Sequence, residues 1–352
     1  MKKKIISLTA LMLLIFGGFA QTRIIVQSGE ATQVFAHFPA ALAAAQDGDI
    51  IYLPGGAINI GTAYIEKSLT IYGAGHYPQY TQATGITMLN GIIYLRQANS
   101  EVPLENIHLE GVYLSGDFRI GTTTANENIN QVTVTKCNIN NVYLSRNGSG
   151  EGQAEQIHFI ENVIRGSLLG GNAQNVLFSK NIIQGFVGYF NANALFSNNI
   201  FLEEQTSSAM STSFRYISNA TFQNNISRCV NESRCFYAMS ANNFYNNIWR
   251  YEFVVPSGST GSGNIINQNA DEIFLNATGA AFSYEFDYSL NTGSPGIAAG
   301  TDGFDIGIYG TTRPYKEGAV PRIPRIVSQS IDKETNAEGK LQVEVEVEAQ
   351  DE

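Results

Sequence analysis

The sequence predicts an all-β fold in which short strands stack into one long solenoid. A short sequence motif recurs. It consists of an apolar residue, any residue, an aromatic residue, two polar residues, Asn and a further apolar residue. It is read in IHFIENVI (157–164), VLFSKNII (176–183), ALFSNNIF (194–201), ATFQNNIS (220–227) and NNFYNNIW (242–249). Two looser copies begin at Ile107 and Val132, and successive copies start 18 to 26 residues apart. A repeat of this length, with strand periodicity inside it, is typical of solenoids.

The repeated positions predict both a core and a ladder. Because side chains alternate along a strand, Ile157 and Phe159 should point inward and His158 outward. Equal positions of stacked coils lie above one another at about 4.8 Å. The aromatic column should therefore stack inside the solenoid. The Asn column should form side-chain hydrogen bonds from coil to coil, with Asn in left-handed backbone at a bend. Both columns predict structure and not a ligand site.

Composition narrows the function classes. Charged residues are only 15% of the 352 residues, and the net charge is −10, which argues against nucleic acid as a partner.

Of the three cysteines, Cys137 occupies the position that Asn fills in later repeats and should be buried. Cys229 and Cys235 are six residues apart and could form a disulfide in an oxidising compartment.

The first twenty residues, MKKKIISLTALMLLIFGGFA, predict a secretory signal peptide cleaved after Ala20. The apolar run is too short for a transmembrane helix. We therefore expect export to the periplasm, the cell surface or the exterior.

The remaining elements follow in order. Residues 22–27 predict a strand, and residues 28–47 predict an amphipathic helix that caps the open end of the solenoid. The first coils contain DIIYLPGG (49–56) and KSLTIYGAG (67–75). The predicted division is a signal peptide (1–20), a β-helix of about a dozen coils (21–310) and a C-terminal tail (311–352). The tail is expected to end in one strand, LQVEVEVE (341–348).

These stretches, with SPGIAAGTDGFDIGIYG (294–310) and PRIPRI (321–326), resemble secreted bacterial right-handed parallel β-helix proteins of the pectate-lyase-like fold. The ending is similar to that of uncharacterised members. The resemblance implies a single right-handed parallel β-helix, and its lyases use aspartate-bound calcium with an arginine base. Because this fold carries lyases, hydrolases and binding proteins alike, it does not decide the activity.

The distribution of aspartate argues against a calcium-dependent lyase and against a hydrolase with paired carboxylates. No aspartate lies between Asp117 and Asp271, although calcium sites and paired-carboxylate hydrolases both need carboxylates. Asp302 and Asp305 are expected to cap turns beside glycine. We expect no cofactor and no metal.

Arginine suggests a binding surface. Arg165, Arg228 and Arg250 each follow a repeat Asn by three residues, and together they are the candidate glycan-binding residues. A row of guanidinium groups suits carboxylated or sulfated sugars. The other interpretation is that they are solvated, or that they pair with Glu232 and Glu252.

Two hypotheses for function remain. The first is an exported, non-catalytic β-helix protein that binds polysaccharide along one face. The second is a calcium-independent lyase acting on an acidic glycan, with a tyrosine, histidine and arginine set drawn from Tyr113, Tyr143, His108, His158, Arg119 and Arg146. The sequence names neither the glycan nor the oligomeric state.

Overall fold

The computed structural model describes residues 23–99, 101–122, 127–144, 153–202, 212–230 and 235–349. Over these residues the chain forms the predicted parallel β-helix, with two long sheets of 12 and 15 strands. The predicted signal peptide lies outside the described residues. Within the described ranges, no helix has both the length and the apolar character needed to cross a membrane.

The first sheet forms one face of the solenoid. Its strands, numbered in chain order, are β1 (Ile24–Ser28), β2 (Ala31–Phe35), β3 (Ile50–Tyr52), β5 (Thr70–Tyr72), β7 (Ile107–Glu110), β10 (Asn128–Thr135), β13 (Gln153–Ile160), β16 (Gln174–Ser179), β19 (Ala194–Ser197), β22 (Ala220–Gln223), β25 (Asn243–Tyr245) and β27 (Thr260–Ser262). The ten strands from β3 to β27 follow one another in parallel, one in each coil.

The second sheet has two arms that separate from a pair of long strands, β4 (Gly56–Ile65) and β6 (Thr87–Leu95). The first arm contains β8 (Tyr113–Leu114), β11 (Asn138–Ile139), β14 (Val163–Ile164), β17 (Ile182–Ile183), β20 (Ile200–Phe201), β23 (Ile226–Ser227) and β26 (Ile248–Trp249). The second arm contains β9 (Phe118–Ile120), β12 (Val142–Tyr143), β15 (Leu168–Leu169), β18 (Val187–Phe190), β21 (Phe214–Ser218) and β24 (Phe236–Ser240). A typical coil therefore has three strands and three outer faces.

The predicted aromatic column lies inside the solenoid. Phe178, Phe196, Phe222 and Phe244 are buried, and their rings stack in sequence with centres 4.7 to 5.1 Å apart. Stacked rings of this kind add to the free energy of burying their surface. The column thus belongs to the core, as expected.

The predicted Asn ladder is also present. Asn199 Oδ1 accepts hydrogen bonds from both the backbone N and Nδ2 of Asn181, each at 2.9 Å, while Asn199 Nδ2 donates to the Phe178 carbonyl at 2.8 Å. One detail of the prediction was wrong. The left-handed residue of each corner is the one before the ladder Asn, such as Asn198 (φ 57) before Asn199.

The N-terminal cap is smaller than predicted. Instead of one helix over 28–47, the chain first forms β2, which pairs antiparallel with β1, and then a seven-residue helix α1 (Phe38–Ala44). Phe38 and Ala41 of this helix are fully buried against the first coils. Pro39 lies in the first turn of the helix, where its missing N–H costs no helical hydrogen bond. At the other end, Lys67 Nζ donates to the carbonyl oxygens of Ala43 and Ala45 at 3.0 and 2.5 Å.

The solenoid ends earlier than predicted. Its last parallel strand finishes at Ser262, well before the boundary expected at residue 310. After a short helix α2 (Ala270–Ile273) and an antiparallel pair, β28 (Phe274–Asn276) with β29 (Asp287–Leu290), the chain turns back along the coils. We call residues 297–322 the return segment.

Each corner of the solenoid contacts the return segment in turn. Asn246 Nδ2 donates to the Ala299 carbonyl at 2.8 Å. Eight residues further along the segment, Asn198 Nδ2 donates to the carbonyl oxygen of Gly307, and it also donates to that of Gly310. The contacts continue through Lys180 to the Arg313 carbonyl and Lys136 to the Val320 carbonyl, at 2.7 and 2.8 Å. The segment covers a second apolar cluster that includes the outward side chains of the first arm, Val163, Ile182, Ile200, Ile226 and Ile248.

The tail ends in a hairpin and not in a single strand. β30 (Arg325–Ile331) pairs antiparallel with β31 (Val343–Glu348). The predicted strand LQVEVEVE is therefore present but has a partner strand.

Candidate functional site: an exposed column of tyrosine and arginine

The outer face of the second arm carries a column of aromatic and cationic side chains, which two other residues interrupt. Direct strand pairing aligns Tyr64 with Tyr94, Tyr94 with Arg119, and Arg119 with Tyr143. The same column continues through Leu169 and Gly188 to Arg215 and Tyr237. We call Tyr64, Tyr94, Arg119, Tyr143, Arg215 and Tyr237 the Tyr–Arg stripe.

At its N-terminal end the stripe is a stack of rings and guanidinium groups. The rings of Tyr64 and Tyr94 stack with centres 5.4 Å apart, and the Arg96 guanidinium lies 4.3 Å from the centre of the Tyr64 ring. Arg119 lies between two rings, 5.6 Å from Tyr94 and 4.5 Å from Tyr143. Such cation–π contacts hold the planar groups in place on the exposed surface.

Carboxylates orient the two arginines of this end. Arg96 pairs with Glu66. Arg119 Nη2 donates to Asp117 Oδ2 at 2.6 Å. Burial lowers the pKa of Arg119, but the hydrogen bond to Asp117 and the charge of Asp117 raise it, and the pKa is raised overall. The Arg119 side chain is still 31% exposed, and Asp117 engages only its Nε and Nη2 among the five N–H groups of a guanidinium. The group can therefore still donate to a ligand.

The C-terminal end shows backbone strain beneath exposed rings. The Arg215 guanidinium lies 3.6 Å from the centre of the Phe186 ring, and a Cβ at Gly188 would come within 2.7 Å of the Arg215 carbonyl oxygen. Tyr189 and Tyr216 both have left-handed backbone, with φ of 62° and 54°, and their rings stack at 5.1 Å. Left-handed backbone is unusual for a bulky residue and often accompanies function.

A cleft adjoins the N-terminal end of the stripe. It has a volume of about 310 Å³ and lies between α1 and β4. Tyr64 and Arg96 line it on the side of the stripe, and Phe38 and Leu42 line it on the side of the helix. A chain lying on the stripe could therefore place its end in this cleft.

The structure does not form the predicted arginine stripe. Arg228 is only 1% exposed, and its Nη1 donates to the Ala277 carbonyl at 3.3 Å. Arg165 lies on the first arm, where its Nε donates to Asn138 Oδ1 at 2.7 Å and its guanidinium is 4.6 Å from the Tyr113 ring. Arg250 is partly buried on the same side of the solenoid. The return of the chain over the first arm covers this side, which the repeat pattern did not reveal. Glu232 lies outside the described residues.

The predicted tyrosine, histidine and arginine set is also dispersed. Tyr113 lies on the first arm, Tyr143 on the second arm and His108 on the first sheet. Tyr113 and Tyr143 do not occupy equivalent positions, because Tyr113 pairs with Asn138 and Tyr143 pairs with Arg119. Arg146 lies outside the described residues.

His108 and His158 lie in one column of the first sheet. Thr133 pairs with His108 on one side and with His158 on the other, so two coil spacings separate the histidines. His108 Nε2 donates to Glu110 Oε2 at 3.0 Å, and Glu110 is buried beneath the return segment. His108 is therefore an outward side chain that anchors a buried carboxylate.

Asp302 and Asp305 cap turns, as predicted. Asp302 Oδ1 accepts a bond from the Phe304 backbone N at 3.2 Å, and Asp305 Oδ1 accepts one from Ala298 at 2.8 Å. Among the described residues, no three His, Cys, Asp or Glu side chains are grouped so that they could hold a metal ion.

The fold and the stripe define a parallel β-helix protein with an exposed aromatic and cationic surface along one arm. Neither the models of known protein families nor the curated proteins include a match to this chain. The relation to secreted pectate-lyase-like proteins therefore stays a prediction.

Sequence reasoning missed most of the stripe, although one signal was present. Gly61–Ile65 (GTAYI) and Gly91–Leu95 (GIIYL) place a tyrosine at the same distance from a glycine, and an arginine or a lysine follows shortly. These two segments are paired in the structure. An alignment on glycine would have found Tyr64 and Tyr94.

Proposed function

We propose that this chain is an exported protein that binds a polysaccharide along the Tyr–Arg stripe and does not cleave it. The observation that carries the proposal is the alignment of Tyr64, Tyr94, Arg119 and Tyr143 on adjacent strands of an exposed face. Repetition along the solenoid axis matches a repeating ligand, because each coil offers an equivalent position about 4.8 Å from the last.

The side chains suit sugars. Tyrosine rings present an apolar face for the C–H side of a pyranose and a hydroxyl for hydrogen bonding. Arg119 adds a planar donor that pairs well with carboxylate or sulfate. We therefore expect a preference for glycans that carry acidic groups, although the chain as a whole has a net charge of −10.

Binding is tested by affinity electrophoresis in gels that contain neutral, carboxylated or sulfated polysaccharides. The double variant Tyr64→Ala/Tyr94→Ala should lose most of the retardation that the parent protein shows. Its matched control is Tyr52→Ala/Tyr72→Ala, which removes a similar stacked pair, with ring centres 5.9 Å apart, from the first sheet. Circular dichroism melts establish that each variant is folded.

Two results would contradict the proposal. Equal retardation of the stripe variant and its control would show that the stripe is not the binding surface. Release of an unsaturated product from a retained glycan, seen as ultraviolet absorbance, would show that the protein is a lyase.

A further inference from the structure

A second concave site lies on another face of the molecule, between the first arm and the C-terminal part of the chain. It is a cavity of about 320 Å³, a size that suits a small ligand, and Ile182 of the first arm lines it together with residues from 77–80, 284–289 and 309–318. We call it the tyrosine pocket, after Tyr77, Tyr80, Tyr284, Tyr288, Tyr309 and Tyr315. The pocket and the Tyr–Arg stripe share no residue.

Packing fixes the rings of this pocket. The rings of Tyr77 and Tyr284 meet edge to face with centres 4.6 Å apart, and the hydroxyl oxygens of Tyr77 and Tyr315 lie 3.2 Å apart. Gly318 has a left-handed φ of 70°, and a Cβ there would overlap the Tyr80 ring. A glycine at this position thus allows the Tyr80 ring to lie directly on the backbone.

Three carboxylates, Glu285, Asp287 and Glu317, line the pocket, and neither lysine nor arginine is among its lining residues. In the part of the chain that the structure describes, none of the three is within 4.0 Å of a basic side-chain nitrogen. Burial is the largest cause that raises the pKa of Tyr309 to about 12, and the charges of Asp287 and Glu317 add to it. Both carboxylates therefore act on the same wall of the pocket.

Basic groups near the pocket lie outside its lining. Burial raises the pKa values of Tyr284 and Tyr288 to about 12, and the charges of Arg165 and Arg228 act against this rise without lining the pocket. His76 is buried behind Tyr284, with Nδ1 3.3 Å from the Tyr284 hydroxyl, and burial lowers its pKa to about 3, so the imidazole is neutral. Arg325 donates to the Tyr80 carbonyl at 3.1 Å, and its other end pairs with Glu348 at 2.6 Å. The pocket consequently combines aromatic walls with an excess of carboxylates among its lining residues.

We propose that the tyrosine pocket binds a small organic cation, with an ammonium group held among the tyrosine rings and facing the carboxylates. Aromatic rings attract ammonium groups through their negative faces, and desolvation in a recess strengthens that attraction. A neutral sugar could also lie on the rings and donate hydrogen bonds to the carboxylates, but it would lack the charge attraction that an ammonium group gains from both. An anionic ligand would be repelled.

The proposal is tested by isothermal titration calorimetry with choline and with 3,3-dimethyl-1-butanol, which has the same shape without the charge. Choline should bind and the alcohol should not. Ethanolamine in a third titration distinguishes a quaternary site from one that takes primary amines. The variant Asp287→Asn/Glu317→Gln should weaken cation binding by at least about tenfold, whereas Glu344→Gln, an exposed carboxylate on the terminal hairpin, should leave it unchanged.

Equal binding of choline and its neutral analogue would show an apolar pocket and overturn the proposal. So would the absence of binding by both cations at millimolar concentration to a protein that melts normally. A third variant, Tyr309→Phe, keeps the ring and should retain binding, while Tyr309→Ala should weaken it. Similar binding by these two variants would contradict a role for the ring.

Discussion

The Arg119 guanidinium lies 4.5 Å from the centre of the Tyr143 ring, and the two residues are directly paired on neighbouring strands of the second arm. They are 24 residues apart in the chain, and nothing in their local sequences connects them. The stacking of coils therefore creates the surface, and the surface can be tested one residue at a time.

Arg119→Lys should weaken glycan binding by about two- to fivefold, the equivalent of a cation–π contact of about 0.5–1 kcal/mol. Lysine keeps the charge but lacks the planar fork that lies between Tyr94 and Tyr143. Affinity electrophoresis measures the change, with Arg325→Lys on the tail as the matched control. Unchanged retardation of Arg119→Lys would show that charge alone matters.

Asn199→Ala should lower the free energy of unfolding by about 2–5 kcal/mol, because it leaves several buried groups without partners. Asn181 loses the acceptor of two hydrogen bonds, and the Phe178 carbonyl loses a donor. Urea denaturation gives the value. Asn243→Ala removes an outward Asn that bonds only to side chains of neighbouring coils, and it should cost much less. Equal losses would contradict the structural role of the ladder.

Lys180→Met should destabilise the protein by about 3–5 kcal/mol, because it leaves Glu161 buried without its partner. Lys180 Nζ lies 2.7 Å from Glu161 Oε1 and also donates to the return segment. The double variant Lys180→Met/Glu161→Leu should recover much of the loss in the same denaturation experiment. Limited proteolysis should cut residues 297–322 faster in the single variant. A single variant as stable as the parent would contradict the coupling.

His76 should make stability depend on pH between about 6.5 and 3. Burial lowers the pKa of His76 to about 3, so in this range the unfolded chain binds a proton that the folded chain does not. Stability is therefore complete above the unfolded pKa and falls with pH by roughly 1.4 kcal/mol per unit. His76→Gln should make this slope shallower, whereas His37→Gln, at an exposed position, should not. Parallel slopes in all three proteins would contradict the assignment.

The three cysteines should resist thiol reagents in the folded protein. All three are buried, and burial raises the pKa of Cys137 to about 12 and also raises that of Cys235. Thiolates are the reactive form, so labelling with Ellman's reagent should be slow until urea is added and should then count three thiols. One labelled thiol in urea would instead show that Cys229 and Cys235 are bridged.

The core was predictable because it repeats. Phe178, Phe196 and Asn199 occupy equal positions in successive copies, and a strand period of two assigns them to the interior without reference to distant residues. The N-terminal helix was overestimated because alanine-rich spacing fits a helix, whereas Ala31–Phe35 pairs with β1 instead. Tertiary pairing overrode local propensity there.

Local periodicity is enough to predict the solenoid, its aromatic column and its Asn ladder, because the same pattern recurs in every repeat. Which outer face stays open depends on contacts between distant parts of the chain. The return segment and the residues before it cover Arg228 and the outward isoleucines of the first arm, while Tyr64, Tyr94 and Arg119 stay accessible on the second arm. These contacts join residues as far as 238 positions apart, as between Tyr77 and Tyr315. Such pairings follow from packing and hydrogen bonding in the folded chain, and no repeat pattern encodes them.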